Sequence, residues 1–308
     1  MPARCMPARC LPACHVHGPG ARLSVAPETL NCFRLPPTGS ITAWRHTMTT
    51  RNETALFRLI DNSATTPVIL HAPHGGRFIP AEYLHSYVIS PAELEAEKDV
   101  MTDHFTDELV AAITGASAVI NGLSRFAVDV ERFPDDTEEM NAVGMGVLYT
   151  HGSRRQEIRR VSADDEKPLM DYFEAYSARF TELVDATLAV HGRAVIFDVH
   201  SYPEAELSYE LHGGGYRAPL CVGSEPFHAS VDLLATVDGC FPHLDTHANA
   251  PFAGSYVPLK HYRTDARVSS VMLEIRRDVY MDEATVTRKP EGFASLQGSL
   301  QRLVDLVR

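Results

Sequence analysis

The sequence predicts a single α/β domain, on three observations. Short apolar runs rich in β-branched residues, among them Val68-Ile69-Leu70 and Ala194-Val195-Ile196-Phe197, stop abruptly at polar or glycine-containing turns, as buried strands do. Segments with helical spacing alternate with these runs, the pattern of a sheet wrapped by helices. No shift in composition divides residues 48–308, and a chain of 308 residues is long enough for one large domain.

Residues 1–47 fall outside this pattern. They open on a tandem Met-Pro-Ala-Arg-Cys repeat, are rich in proline and cysteine, and carry several arginines with almost no acid. A transit peptide is one reading. The preferred one is a disordered or spurious extension, with Met48 the natural start.

After Ala55 the elements follow in order. Pro67-Val68-Ile69-Leu70-His71-Ala72-Pro73-His74-Gly75-Gly76 is a strand running into a turn where glycine lets the backbone fold tightly and a ligand come close. Ser90-Pro91-Ala92-Glu93 is a capping box with proline at the first helical position, and residues 94–113 make one or two helices ending before Gly115. Ala118-Val119-Ile120 begins the next sheet element. Ser124-Arg125-Phe126-Ala127-Val128-Asp129-Val130-Glu131-Arg132-Phe133-Pro134 alternates, with Phe126, Val128 and Val130 on one side and Arg125, Asp129 and Glu131 on the other, which predicts a strand. Gly144-Met145-Gly146-Val147-Leu148-Tyr149 predicts another short one. Residues 168–190 have helical spacing and stop at Gly192. The strand from Ala194 ends in Asp198-Val199-His200-Ser201. A strand at Leu220-Cys221-Val222, a helix over 230–237, a strand through Val271-Met272-Leu273-Glu274-Ile275 and an amphipathic helix over 293–307 complete the chain.

Composition excludes some partners. A net charge of -12 leaves no excess of lysine and arginine to neutralise phosphates, so no nucleic-acid partner is expected. No apolar run is long enough to span a membrane. Cys221 and Cys240 stand alone in the body of the chain, outside any Cys-x-x-Cys pair, which fits a reducing, cytoplasmic setting. Any bound metal must then be held by histidines and carboxylates.

His74 and His200 close two of the predicted strands, at the sheet edge where α/β proteins bind ligands. Taken alone, each reads first as a core histidine satisfied by a carbonyl. Two histidines and a carboxylate, with one position left open, are the usual ligands of a catalytic zinc. Spacing does not separate the candidate carboxylates Glu93, Glu95, Glu97, Asp99, Asp103 and Asp107, which all follow on the helical segment and must mostly be solvated. Glu274 lies in an otherwise apolar strand. Burial would raise its pKa and suit it to general-base work, unless it is the ion-pair partner of Arg125, Arg132, Arg276 or Arg277. Those arginines either pair with Asp129, Glu131 and Asp278 or hold a substrate carboxylate bidentately.

In sequence order, Pro73-His74-Gly75-Gly76, Thr102-Asp103 followed by Asp107, residues 124–132, Asp198-Val199-His200-Ser201, and Leu273-Glu274-Ile275-Arg276-Arg277 with Tyr280-Met281-Asp282-Glu283 resemble the N-formylglutamate amidohydrolases over roughly residues 65–283. The resemblance implies a zinc-carboxypeptidase-like (phosphorylase/hydrolase-like) fold, a mixed, mostly parallel sheet with helices on both faces, in a catalytic domain spanning 48–308. It implies Zn2+ as cofactor, with His74, Asp103 and His200 as its ligands, and Glu274 as general base. Arg125, Arg132 and Arg277 match arginines that read substrate carboxylates, and Asp198 is expected to orient its neighbours by hydrogen bonding. The partner implied is a small N-acyl amino acid, nominally N-formyl-L-glutamate. A carboxypeptidase-like or deacylase activity on another amide, and a metal-binding protein without turnover, are the competing readings. Two stretches depart from the family: Gly223-Ser224-Glu225-Pro226-Phe227-His228 replaces a Gly-Thr-Ala-Asp-Gly run, and Leu259-Lys260-His261-Tyr262 replaces Thr-Arg-His-Tyr.

Overall fold

The computed structural model describes residues 56–308, so the expectation for residues 1–47 lies outside the described residues. A seven-stranded sheet organises them. Its strands are β1 (Phe57–Ile60), β2 (Val68–Ala72), β3 (Ser117–Asn121), β4 (Ala194–Tyr202), β5 (Leu220–Ser224), β6 (Thr246–Ala248) and β7 (Val268–Arg276), in the spatial order β1-β3-β2-β4-β7-β5-β6. The pairs β3–β2, β2–β4, β4–β7 and β5–β6 are parallel, while β1–β3 and β5–β7 are antiparallel. The central strands β2 and β4 are buried at every position, which is why each opens on a continuous apolar run, Val68–Leu70 and Ala194–Phe197.

The helices are α1 (Pro91–Met101), α2 (Thr106–Ala111), α3 (Ala163–His191), α4 (Val231–Cys240) and α5 (Pro290–Val307). Leu70, Val119's neighbours Ala118 and Ile120, Phe197, Leu273 and Ile275 face one side of the sheet and pack with Leu109, Val110, Val237, Leu300 and Val304 of α2, α4 and α5. The opposite side is covered by α3, where Tyr176 and Phe180 meet His71 of β2. Helices therefore lie on both faces of a mostly parallel sheet, the architecture that the resemblance implies. No described helix is long and apolar enough to cross a membrane.

Two predicted strands are absent. Residues 124–134 form turns, with Ala127 and Val128 both donating to the Ser124 carbonyl. Alternation describes a strand with one solvated face, but here Phe126, Ala127, Val128, Asp129 and Val130 are all buried, so neighbours enclose the segment from both sides. Residues 144–149 likewise follow a turn, opened by Gly144 at φ 71° with its carbonyl accepting from Thr150 and His151. Helix α3 starts at Ala163, five residues before Pro168, because Ser162 caps it by accepting from Asp165 N at 3.1 Å and three acids complement the dipole of its first turn. The short edge strands β1 and β6 carry too few residues for periodicity to reveal them.

Candidate active site

His74 follows the end of β2, in a turn that needs its two glycines. A Cβ on Gly75 would lie 2.9 Å from Asp107 Cβ, and one on Gly76 would lie 2.5 Å from the Gly122 carbonyl carbon and 2.6 Å from the Leu123 carbonyl oxygen. The missing side chains let the turn press against α2 on one side and the 122–123 backbone on the other. The His74 carbonyl then accepts from the Asp103 amide at 3.0 Å.

Asp103 sits in the break between α1 and α2. Thr102 ends α1 in an extended conformation and Phe105, at φ 65°, reverses the chain before α2. The other five carboxylates of this segment serve elsewhere or point away. Glu93 completes the capping box with Ser90. Glu95 and Asp99 pair with Arg77, Glu97 is buried against Ser153 and Gln156, and Asp107 packs beside Gly75.

His200 lies near the end of β4, brought alongside β2 by the parallel β2–β4 pairing. Its Nδ1 is 3.3 Å from His74 Nδ1 and 3.2 Å from Asp103 Oδ2, and His74 Nδ1 is 3.7 Å from the same oxygen. A tetrahedral ion with bonds of roughly 2.0–2.1 Å spaces its ligand atoms about 3.3 Å apart, so this triangle has the size of a zinc site. The outward nitrogens are held in turn: His74 Nε2 lies 2.8 Å from Asp129 Oδ1, and His200 Nε2 lies 3.0 Å from Asp198 Oδ1 and 3.2 Å from Glu131 Oε1. Carboxylates behind the imidazoles fix which nitrogen faces the centre, as they do around metal-ligating histidines.

Glu131 offers a second set with the two histidines, since one ligand atom from each of the three lies within 4.8 Å of the others. Glu131 approaches the Nε2 atoms, the side where Asp129 and Asp198 also lie, whereas Asp103 approaches the Nδ1 atoms. Charges in the cluster reinforce one another. Burial and Arg125 disfavour a charged His74, but Asp129 and Asp103 outweigh them and hold its pKa above the ordinary imidazole value. Burial opposes a charged His200 as well, and Asp198, Glu131 and Asp103 raise it well above that value. For Asp103 and Asp129 burial is overcome by their histidine and arginine neighbours, which hold both carboxyls far below the usual range.

Glu274 pairs in register with His200 across the parallel β4–β7 ladder, so the two side chains stand on the same face of adjacent strands. Its neighbours Leu273 and Ile275 point into the core. None of the described arginines forms an ion pair with it, and its buried Oε2 has no hydrogen-bond partner. Burial pushes its pKa up to about 7, with Asp103 and Glu131 adding to the rise and His200 and Arg125 opposing it.

The three arginines line the same cleft, a space of about 140 Å³ shared with His74, Asp103, His200 and Glu274. Arg125 donates Nε to Tyr149 Oη at 3.1 Å and Nη2 to Asp129 at 3.1 Å. Arg132 donates Nη2 to Tyr149 Oη at 3.2 Å and places Nε 3.3 Å from Asp129. Arg277 donates to Ser201, to the Val100 carbonyl and, at 3.4 Å, to Asp103 Oδ1. Both readings of the arginines therefore meet in one place, because groups that line the cleft are also partly occupied with carboxylates.

Asp129 is the residue whose importance the sequence understated. It joins His74 on one oxygen to Arg125, Arg132 and Tyr149 on the other. Tyr149 and His71 were not candidates at all. His71 is fully buried, with Nε2 2.7 Å from Tyr176 Oη and Nδ1 2.9 Å from Asp198 Oδ1. A signal existed for His71, which alternates with apolar residues on β2 as Asp198 does on β4, but polar residues facing a helix-covered sheet are visible only once the cover is known. No residue of the two stretches that depart from the family lines the cleft, although Gly223 lies beneath the cleft residue Met272: Glu225 pairs with Arg263, and Lys260 and His261 pair with Asp185 in a separate surface groove.

Comparison with known proteins gives a consistent answer. The family model for N-formylglutamate amidohydrolase matches residues 66–281. A crystal structure of N-formylglutamate amidohydrolase from Ralstonia eutropha JMP134 is similar at a TM-score of 0.70 and 24% identity, over 82% of this chain and 99% of that one. A gene product of Agrobacterium tumefaciens is similar at a TM-score of 0.61 and 16% identity, over 82% of this chain and 94% of that one. At these identities the two structures establish the shared fold. No curated protein sequence matches the chain.

Proposed function

We propose, from the premise that this chain belongs to the N-formylglutamate amidohydrolase family, that it hydrolyses the amide bond of a small N-acyl amino acid using zinc held by His74, Asp103 and His200. The family's nominal reaction converts N-formyl-L-glutamate to formate and glutamate. The observation that carries this reading is the triangle of His74 Nδ1, His200 Nδ1 and Asp103 Oδ2, with edges of 3.2, 3.3 and 3.7 Å and a carboxylate behind each imidazole.

A zinc ion bound there would supply Lewis acidity, polarising the amide carbonyl and making water acidic near neutral pH. The remaining work falls to the chain's own side chains. Glu274, poised at about 7, accepts the proton of the attacking water and returns it to the leaving amine nitrogen. Arg125 and Arg132 hold the amino acid's carboxylate, keeping the scissile bond over the cleft beside Glu274. Arg277 also lines the cleft, and its hold on Asp103 aligns that carboxylate for the metal. Asp129 fixes His74 with Nδ1 inward and at the same time braces the two arginines. Among the described residues the buried thiols of Cys221 and Cys240 are unpaired, which supports a cytoplasmic setting.

Metal analysis followed by a screen of N-formyl and N-acetyl amino acids for amine release tests the reading. The expected result is about one zinc per chain, turnover of at least one such compound, loss of activity on chelation and recovery on adding zinc. Stoichiometric zinc without turnover of any compound would instead mark a metal-binding protein, and release of C-terminal residues from peptides would mark a carboxypeptidase-like enzyme.

A further inference from the structure

The cleft offers free guanidinium donors for one substrate carboxylate, and its uncharged wall is mostly apolar, with hydroxyls only from Ser201, Tyr202 and Tyr209. Arg125 and Arg132 share a single counter-charge, Asp129, so together they retain one uncompensated positive charge. The Nη1 group of each has no hydrogen-bond partner among the described residues, while Nε and Nη2 are engaged with Asp129 and Tyr149. The third arginine has no free donor: each of the three nitrogens of Arg277 already donates, to Ser201, Val100 and Asp103. No lysine lines the cleft, and beyond the histidine–Asp103 cluster assigned to the metal its other charged groups, Glu131 and Glu274, are acids. A second carboxylate on the substrate would face those acids with no free guanidinium donor to meet it, which disfavours its burial.

The uncharged part of the lining points the same way. Met140 and Met272 are buried, and Leu207 and Phe252 are partly covered where they border the cleft. Met272 lies two residues before Glu274 on β7 and so on the same face, and its thioether end lies over Gly223 of β5, where no side chain competes for the space. Methionine adapts its shape to apolar groups of varied outline.

We propose that the substrate carries one carboxylate, taken by Arg125 and Arg132, and an apolar side chain packed against Met140, Leu207, Phe252 and Met272, so that the protein prefers N-acyl derivatives of leucine- or methionine-like amino acids over those of glutamate. The proposal rests on the amidohydrolase reading above and gives it a substrate class. It is tested on the zinc-loaded full chain by comparing kcat/KM for N-formyl-L-leucine, N-formyl-L-methionine and N-formyl-L-glutamate. The two apolar compounds should exceed the glutamate derivative by about a hundredfold or more, and Phe252→Ala and Met140→Ala should each shrink that ratio by roughly tenfold. Equal or better turnover of N-formyl-L-glutamate overturns the proposal, as does a ratio that neither variant moves. If no compound is hydrolysed, the amidohydrolase reading fails, and the subsite is then judged by binding alone. N-acetyl-L-leucine should raise the thermal midpoint more than N-acetyl-L-glutamate, and stabilisation by the glutamate compound, or by neither, overturns the proposal.

Discussion

Asp103 and Glu131 are both carboxylates within reach of the two histidines, and the distinction between them is a matter of which ring nitrogen they meet. Asp103 Oδ2 approaches the Nδ1 atoms, whereas Glu131 lies on the Nε2 side. Asp103→Ala should therefore empty the metal site. Glu131→Gln should keep zinc with an affinity loss of roughly 10–100-fold, the usual effect of a group that orients a ligand, and Asp99→Ala should leave it unchanged, since Asp99 pairs with Arg77 at the surface. Zinc titration of the three variants decides it: an empty Glu131→Gln beside a loaded Asp103→Ala would exchange their roles. At the same scale, Glu274→Gln preserves shape but removes the proton acceptor. Zinc content should be unchanged while kcat falls by roughly 10²–10⁴-fold, and KM should move far less because the loss is confined to the transition state. Turnover near the wild-type rate would remove Glu274 from the proton path.

The elements act by setting the approach of three chain segments to one point. The Pro73-His74-Gly75-Gly76 turn and the α1–α2 break are joined by the hydrogen bond from Asp103 N to His74 O, which ties together the two side chains proposed as metal ligands. Gly76→Ala tests this coupling. Its Cβ would meet backbone atoms of Gly122 and Leu123 at 2.5–2.6 Å, and backbone cannot turn aside as a long side chain can. The variant should lose about 1–3 kcal/mol of stability, in the range of overpacking changes, and bind zinc more weakly because the turn shifts with His74 on it. Gly239→Ala is the control, at a helical glycine whose added Cβ meets nothing within 4 Å. Equal unfolding midpoints for both variants, read by urea denaturation, would show that the turn is not tightly packed.

Across the whole molecule, the site's carboxyls pull stability in opposite directions with pH. Asp103, Asp129 and Asp198 are depressed in the folded chain, so their contribution is present above the unfolded pKa of about 3.9 and is lost as pH falls through the lower folded values. Glu274 is raised from 4.5 to about 7, so the folded chain binds its proton more tightly than the unfolded chain does. Its contribution is present below pH 4.5 and is lost as pH rises to about 7. At 1.36 kcal/mol per pKa unit, the shift corresponds to about 3 kcal/mol. Metal-free Glu274→Gln should therefore gain on the metal-free wild type as pH rises from 4.5 to 8, by an amount of that order. Urea midpoints measured at several pH values provide the check, and a gap that stays constant with pH would mean that Glu274 is not desolvated.

What the sequence alone determined is whatever repeats at short range. β2, β4 and β7 were legible because each carries a short buried apolar run, and the side on which Glu274 stands followed from its alternation with Leu273 and Ile275. His74 and His200 were legible because each closes such a run. Tertiary structure alone decided what depends on distant segments. It singled out Asp103 from six similarly placed acids, since only the break between α1 and α2 directs a carboxylate toward histidines 29 and 97 residues away in sequence. It turned residues 124–134 from an apparent strand into an enclosed loop, because burial on both sides removes the solvated face that alternation implies. It also made Asp129 the link between His74 and the arginines, a role with no local signature. A site is a meeting of atoms from several elements, and local periodicity encodes which way each side chain faces but not which other chains it meets.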